Sequence, residues 1–268
     1  MSKKDNRNQH NDVVYINTTT TAILVDGGFY CKRAKYIFGE KDPSSRATEL
    51  ITYCMRHIKK NNHLYRIFYY DCSPSDKVIY HPLTKKNIPL GKSEIYKWSN
   101  DFHKCLASKR KVALRMGELL ETQNGYSIKP KSLKDLCSGK IKLEDLTEDD
   151  FYLEITQKGV DMKMGLDIAS IASKKLADQI VLIAGDSDFV PAAKFARREV
   201  IDFILDPMGA TITKSLNEHI DGLNTKLALK PELLKKDKLC IGKNNLLDKM
   251  EKSRPKAEGP ATGNQKVG

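Results

Sequence analysis

Five short apolar runs punctuate the chain, at 21–25, 64–70, 112–116, 180–184 and 200–205, each followed by a polar turn and a stretch of helical periodicity. Runs this short, separated by helix-length segments, predict β-α-β units around a mostly parallel sheet, an α/β fold. The run VLIAG at 181–185 is continuously apolar, as expected of a central strand covered on both faces. The spacing predicts helices over 43–60, 93–108, 162–176 and 189–198. In the third of these Met164, Ile168, Ile171 and Leu176 fall near one stripe, the pattern of a helix packed on a sheet. Between 119 and 150 the periodicity weakens. Gly125, Pro130 and Gly139 interrupt it, and Glu144, Asp145, Glu148, Asp149 and Asp150 make it acidic. That stretch reads as an insertion or flap over the sheet edge.

Length and composition narrow this picture. A chain of 268 residues can form one large domain with an insertion. The expected boundaries are a disordered arm over 1–20, the domain over 21–230 with a basic and acidic insertion at about 85–150, and a basic tail over 231–268. No apolar run approaches the roughly 18–20 residues needed to cross a bilayer, so the chain reads as soluble, with no membrane partner. The polar N-terminus has no secretory pattern. Six scattered cysteines without a C-x-x-C pair fit reduced thiols in a cytoplasmic protein and argue against structural zinc.

The net charge of +12 is concentrated. Residues 85–115 hold nine Lys or Arg against Glu94 and Asp101, and the chain from Lys230 onward holds ten against five acids. Together these segments account for the whole excess. Local basic patches are the usual footprint of a polyanion partner. Within 85–115, Tyr96, Trp98 and Phe102 are interleaved with cations, which suits single-stranded nucleic acid. Lys97, Trp98, Lys104, Lys109, Arg110 and Lys111 are the candidate binding residues. A merely solvated surface is the competing explanation.

Four predicted strands end in an aspartate: Asp26, Asp71, Asp186 and Asp206. The carboxyl ends of strands in open α/β sheets form the crevice where ligands bind, so such carboxylates can converge. Any one of them is an ordinary turn or capping residue, and the combination carries the argument. VDGGFY sets Asp26 before two glycines. KGVDMKMGLD sets Asp161 at a helix start, with Gly165 one turn above and Asp167 six residues on. GDSDFVP places Asp186 and Asp188 after the surest strand, with Pro191 in the first helical turn. Clustered carboxylates raise one another's pKa and repel unless cations join them. Mg²⁺ or Mn²⁺, hard ions with oxygen ligands, suit that set and can activate water against a phosphodiester.

The motifs VDGGFY, KGVDMKMGLD and LIAGDSDFVPAAKFAR, in this order, resemble those of NYN-domain proteins of the LabA-like group, within the PIN-like nuclease superfamily; YYDCSPSDKVIYHPLTKK resembles the segment after their second strand. The resemblance spans roughly residues 21–222. It implies a PIN-like three-layer α/β/α sandwich and a metal-dependent ribonuclease. It makes Asp26, Asp161, Asp186 and Asp188 the catalytic, metal-binding acids, with Asp167 a fifth. Many relatives carry Asn shortly after the first aspartate, where this chain has Gly28-Phe29, which bears on substrate contact there.

The leading expectation is an endoribonuclease using metal-activated water, with RNA as partner and DNA, a homo-oligomer or a protein partner left open. A non-catalytic RNA-binding or regulatory module is the alternative. A haloacid-dehalogenase-like phosphatase needs D-x-D at the first strand, and Gly27-Gly28 follow Asp26 here; a receiver domain lacks its acidic pair. Lys158 is the nearest cation before Asp161 and a candidate phosphate contact. His57 and His63 read as surface or capping residues, and Cys72 as a small buried apolar one.

Overall fold

The structure, a computed structural model, describes residues 18–226. The expected tail 231–268 and nearly all of the arm 1–20 lie outside the described residues.

The chain begins with β1 (Thr20–Asp26), α1 (Gly27–Phe38), α2 (Pro43–Met55) and β2 (His63–Cys72). A hairpin of β3 (Val78–His81) and β4 (Lys86–Pro89) leads to α3 (Glu94–Ala107), β5 (Val112–Ile128), α4 (Pro130–Cys137) and β6 (Phe151–Lys158). Then follow α5 (Val160–Ser173), β7 (Gln179–Ile183), α6 (Val190–Arg198), β8 (Asp202–Asp206), α7 (Lys214–Asn217) and β9 (Gly222–Leu223). Six parallel strands in the order β5-β2-β1-β7-β8-β9 make the central sheet, and antiparallel β6 joins beyond β5.

Side chains alternate across each strand, and here the alternation builds two cores. Ile23, Val25, Tyr69, Val181 and Ile183 face α1, α2 and α3, meeting Tyr30, Leu50 and Phe102. Leu24, Tyr70, Leu182 and Phe203 face α5 and α6, meeting Met164, Ile168, Ile171 and Ala193. The result is the expected α/β/α sandwich with a mostly parallel sheet. Of the stripe read on α5, Met164, Ile168 and Ile171 are buried, whereas Leu176 lies past the helix end and is partly exposed.

Three features depart from the periodicity. Strand β8, expected from 200, starts at Asp202, because Val200 turns the chain in a left-handed conformation (φ 63°). The hairpin β3–β4 (VIYH and KNIP) and strand β6 (FYLEITQK) mix apolar with polar residues and fall outside the five apolar runs. The segment expected as an insertion over 85–150 is divided: α3 packs in the core beside α2, and Val112–Gly117 of β5 pair with β2 inside the sheet. The rest of β5 runs past the sheet and pairs only with β6, from Glu118–Lys158 to Ile128–Phe151. The result is a ribbon projecting beyond the carboxyl edge, where an insertion or flap over the sheet edge was expected. The hairpin packs on it through His81, whose ring lies 4.4 Å from that of Tyr126.

Two glycines test this packing in opposite directions. A Cβ on Gly27 would sit 2.5 Å from the Tyr69 ring and 2.7 Å from the Tyr70 carbonyl, whereas one on Gly165, within α5, would meet nothing within 4 Å. Gly27→Ala should therefore lose about 1–3 kcal/mol by overpacking, and Gly165→Ala should gain up to about 1 kcal/mol of helix propensity. Urea unfolding of both variants checks the pair; equal effects would contradict the packing.

Candidate active site at the carboxyl edge of the sheet

Asp26 is the last residue of β1 and the N-cap of α1; its Oδ1 accepts a hydrogen bond from the Phe29 N–H at 3.0 Å. Its position in β1 puts it on the α5 side of the sheet, since Leu24, two residues earlier, belongs to that core. Asp161 arrives by another route. Strand β6 returns along the ribbon to Lys158, Gly159 turns in a left-handed conformation (φ 81°), and α5 starts at Val160. Asp186 lies just past β7. Its Oδ1 accepts from the Asp188 N–H at 3.1 Å, capping the short turn Ser187–Phe189 that leads into α6. The buried Phe189 anchors that turn, leaving Asp186 and Asp188 exposed. The ring of Phe29 covers Gly185: a Cβ there would lie 2.5 Å from it.

The four carboxylates feel one another. Burial pushes the Asp26 carboxyl above the usual range, the Phe29 N–H opposes this, and the charges of Asp161 and Asp71 add to the rise. Asp161 is raised first by desolvation and then by Asp186 and Asp188. Among the described residues none of the four has a basic ion-pair partner. Repulsion without a protein cation is the condition that a hard divalent ion relieves, and an all-carboxylate set suits such an ion. As the side chains stand, no three His, Cys, Asp or Glu among the described residues are gathered tightly enough to hold a metal. The donor chemistry fits while the cage is open.

Asp167 does not join them. It accepts hydrogen bonds from the Tyr70 hydroxyl at 2.8 Å and from Arg115 Nε at 2.9 Å, and Arg115 lies over the Phe68 ring. A carboxylate held by a guanidinium and a phenol braces α5 on the sheet, and a role as fifth ligand would require that pairing to open. The other two strand-ending aspartates belong to the opposite face. Asp71 accepts from the Tyr69 hydroxyl at 3.1 Å and lies 3.2 Å from His103 Nε2. Asp206 is fully buried, bonded to the Tyr53 hydroxyl at 2.5 Å, to His57 Nε2 at 2.8 Å and to the Met208 N–H. His57 is thus a buried partner of a buried acid, and the surface or capping role read for it is corrected. Periodicity could not signal this, because the two residues are 149 apart in sequence. Cys72 is buried, as expected.

The nucleic-acid candidates are spread out. Lys109, Arg110 and Lys111 precede β5 at the amino side of the sheet; Lys111 lies four residues before Arg115, which is level with Asp26 through Tyr70. At about 3.3 Å per residue that is on the order of 13 Å along the strand, away from the carboxylates. Lys111 also donates to the Leu64 carbonyl, and Lys104 pairs with Asp101 at 3.6 Å. Lys109, Arg110 and Lys111, expected as nucleic-acid contacts, therefore lie toward the amino side of the sheet, away from the four carboxylates. Phe102 is core, and Trp98 stacks on it with one face. Lys97 and Lys158 are exposed, Lys158 at the foot of the ribbon beside the entry to α5.

A three-layer sandwich with acids from β1, α5 and the β7–α6 turn at its carboxyl edge has PIN-like architecture. Residues 87–218 match the family profile of the NYN domain, just under half of the chain. That stretch is similar to the NYN domain, a PIN-like fold of the PIN-like nuclease class. The match includes Asp161, Asp167, Asp186 and Asp188, whereas β1 with Asp26 precedes it. No curated protein and no solved structure matches the chain. The described cysteines are free thiols, and no helix among the described residues is long and apolar enough to cross a membrane.

The raised carboxyls fix a sign for stability. A carboxyl whose folded pKa exceeds its unfolded value costs stability once it ionises, and the cost grows as pH rises through the usual carboxylate range to the folded pKa. Asp26→Asn keeps a good N-cap and removes one charge, so its melting temperature at neutral pH should exceed that of the unmodified chain by a few degrees. The difference should vanish below the carboxylate range. A variant destabilised at every pH would contradict this electrostatic account.

Proposed function

We propose that the chain is a divalent-metal-dependent nuclease, an endoribonuclease hydrolysing RNA phosphodiester bonds with Mg²⁺ or Mn²⁺. The observation that carries this reading is the gathering of mutually repelling carboxylates from three separate segments at one sheet edge, without a protein cation among the described residues. The similarity to the NYN domain supports it, since the class is one of nucleases. The motifs that resemble the LabA-like group supply all four acids.

In this reading Asp26, Asp161, Asp186 and Asp188 hold the metal, which when bound polarises the phosphate and lowers the pKa of water. Asp26 and Asp186 present their carboxylates in orientations already set by the N–H groups they accept. Asp161, raised by desolvation and then by Asp186 and Asp188, keeps a proton more readily than an isolated aspartate, and a bound cation would oppose that rise. Lys158, exposed beside the start of α5, meets the substrate phosphate.

Asp186→Asn and Asp26→Asn, each folded by circular dichroism, should lower cleavage of a labelled single-stranded RNA in Mg²⁺ or Mn²⁺ by at least about a hundredfold, the scale of losing metal-assisted catalysis. Asp167→Asn should retain most activity. Undiminished cleavage by the Asp26→Asn, Asp186→Asn double variant would sink the assignment.

A further inference from the structure

A second concavity opens on the other helical layer, between α1, the entry to α2 and α3, with a volume of about 520 Å³. Trp98, Ile95, Lys32, Lys35 and Lys41 line it, with Cys31 at its inner wall. The Cys31 thiol is 3.5 Å from the Tyr69 hydroxyl, which donates to Asp71 near the carboxyl end of β2. The cleft therefore reaches the same sheet edge as the four carboxylates. Lys32 lies six residues beyond Asp26, about 9 Å along the axis of α1 at 1.5 Å per residue.

Its chemistry is that of a stacking platform among cations. The Trp98 indole is fixed twice: it stacks on Phe102 at 5.0 Å and 22°, and its Nε1–H donates to the Lys41 carbonyl at 2.9 Å. With one face against Phe102, the rest of the ring lines the cleft. Ile95, one turn earlier on α3, is 78% exposed. Arg46 and Lys41 are engaged by Glu49, so they serve the fold. Lys32 has no carboxylate partner among the described residues, and Lys35 pairs with Glu40 where both side chains are largely exposed, a contact of small value that a phosphate can replace. Glu94 and Glu40 also line the cleft and repel any polyanion there, so the phosphate contact falls to Lys32 and Lys35. A flat aromatic surface inside a concavity takes an unpaired base, because a paired base has no free face to offer.

We propose that this cleft is a subsite for one nucleotide of a single-stranded nucleic acid, its base on Trp98 and its phosphate at Lys32 and Lys35. The inference rests on the reading that the chain acts on RNA, and adds where the strand runs: over the α1–α3 layer, away from Lys109, Arg110 and Lys111.

Trp98 is the only tryptophan, so its emission reports on this cleft alone. The full chain is titrated with fluorescein-labelled oligoadenylate in EDTA, following anisotropy of the label and emission of Trp98. Both signals should saturate together. Trp98→Leu should weaken binding roughly tenfold, the scale of one lost base stack, with Trp98→Phe nearer the unmodified chain. The exposed double variant Lys32→Glu, Lys35→Glu should bind more weakly and with a shallower salt dependence. RNA that binds by anisotropy while Trp98 emission stays constant, or duplex RNA that quenches it equally, would overturn the subsite and leave the nuclease reading standing. If no oligonucleotide binds at all, the RNA reading fails together with the subsite.

Discussion

Everything at the candidate site depends on the alternation of side chains along the parallel strands. One residue of difference in position decides whether a strand-ending aspartate looks toward α5 and α6 or toward α1, α2 and α3. Asp26, in step with Leu24, falls on the first side. Asp71 and Asp206, in step with Tyr69 and Ile204, fall on the second, and there each is consumed by hydrogen bonds to tyrosine and histidine. Four similar sequence signals thus separate into one candidate ligand at β1, another after β7, and two structural acids. A one-residue slip of any strand would exchange these roles.

The sandwich itself was legible in sequence because its central strands are short, apolar and flanked by helices with clean stripes. All five apolar runs mark strands, and the four predicted helices each match an observed one. What escaped was marked by weaker signals. Strand β6 and the β3–β4 hairpin mix apolar with polar residues over short lengths, so no continuous apolar run marks them. At the site, Asp26, Asp161, Asp186 and Asp188 could be read because motif and strand end coincide. The capture of Asp167 by Arg115 and Tyr70 could not, since those partners come from other strands far along the chain. Charge counting found a basic segment but could not see that β5 starts at the amino side, which divides that segment between two ends of the sheet.

The long β5 explains how Asp161 reaches the crevice at all. A parallel sheet needs a crossover to bring each following strand to the same edge. Here the chain overshoots, reverses through α4 and comes back antiparallel along the ribbon, so α5 begins close to the edge where β1 and β2 end. The Gly159 turn is the joint between ribbon and helix. The ribbon therefore does two things: it widens the wall beside the crevice and delivers an acid to it.

The caps on Asp26 and Asp186 have a thermodynamic consequence for whatever cation enters. Each of these side chains already spends one carboxylate oxygen on a backbone N–H, and with it has given up its rotamer freedom during folding. Asp161 and Asp188 have no such tether. A cation held by these four acids would meet two carboxylates already ordered by the fold and two whose ordering it would itself have to bring about, so part of its binding free energy would be spent on their rotamer freedom.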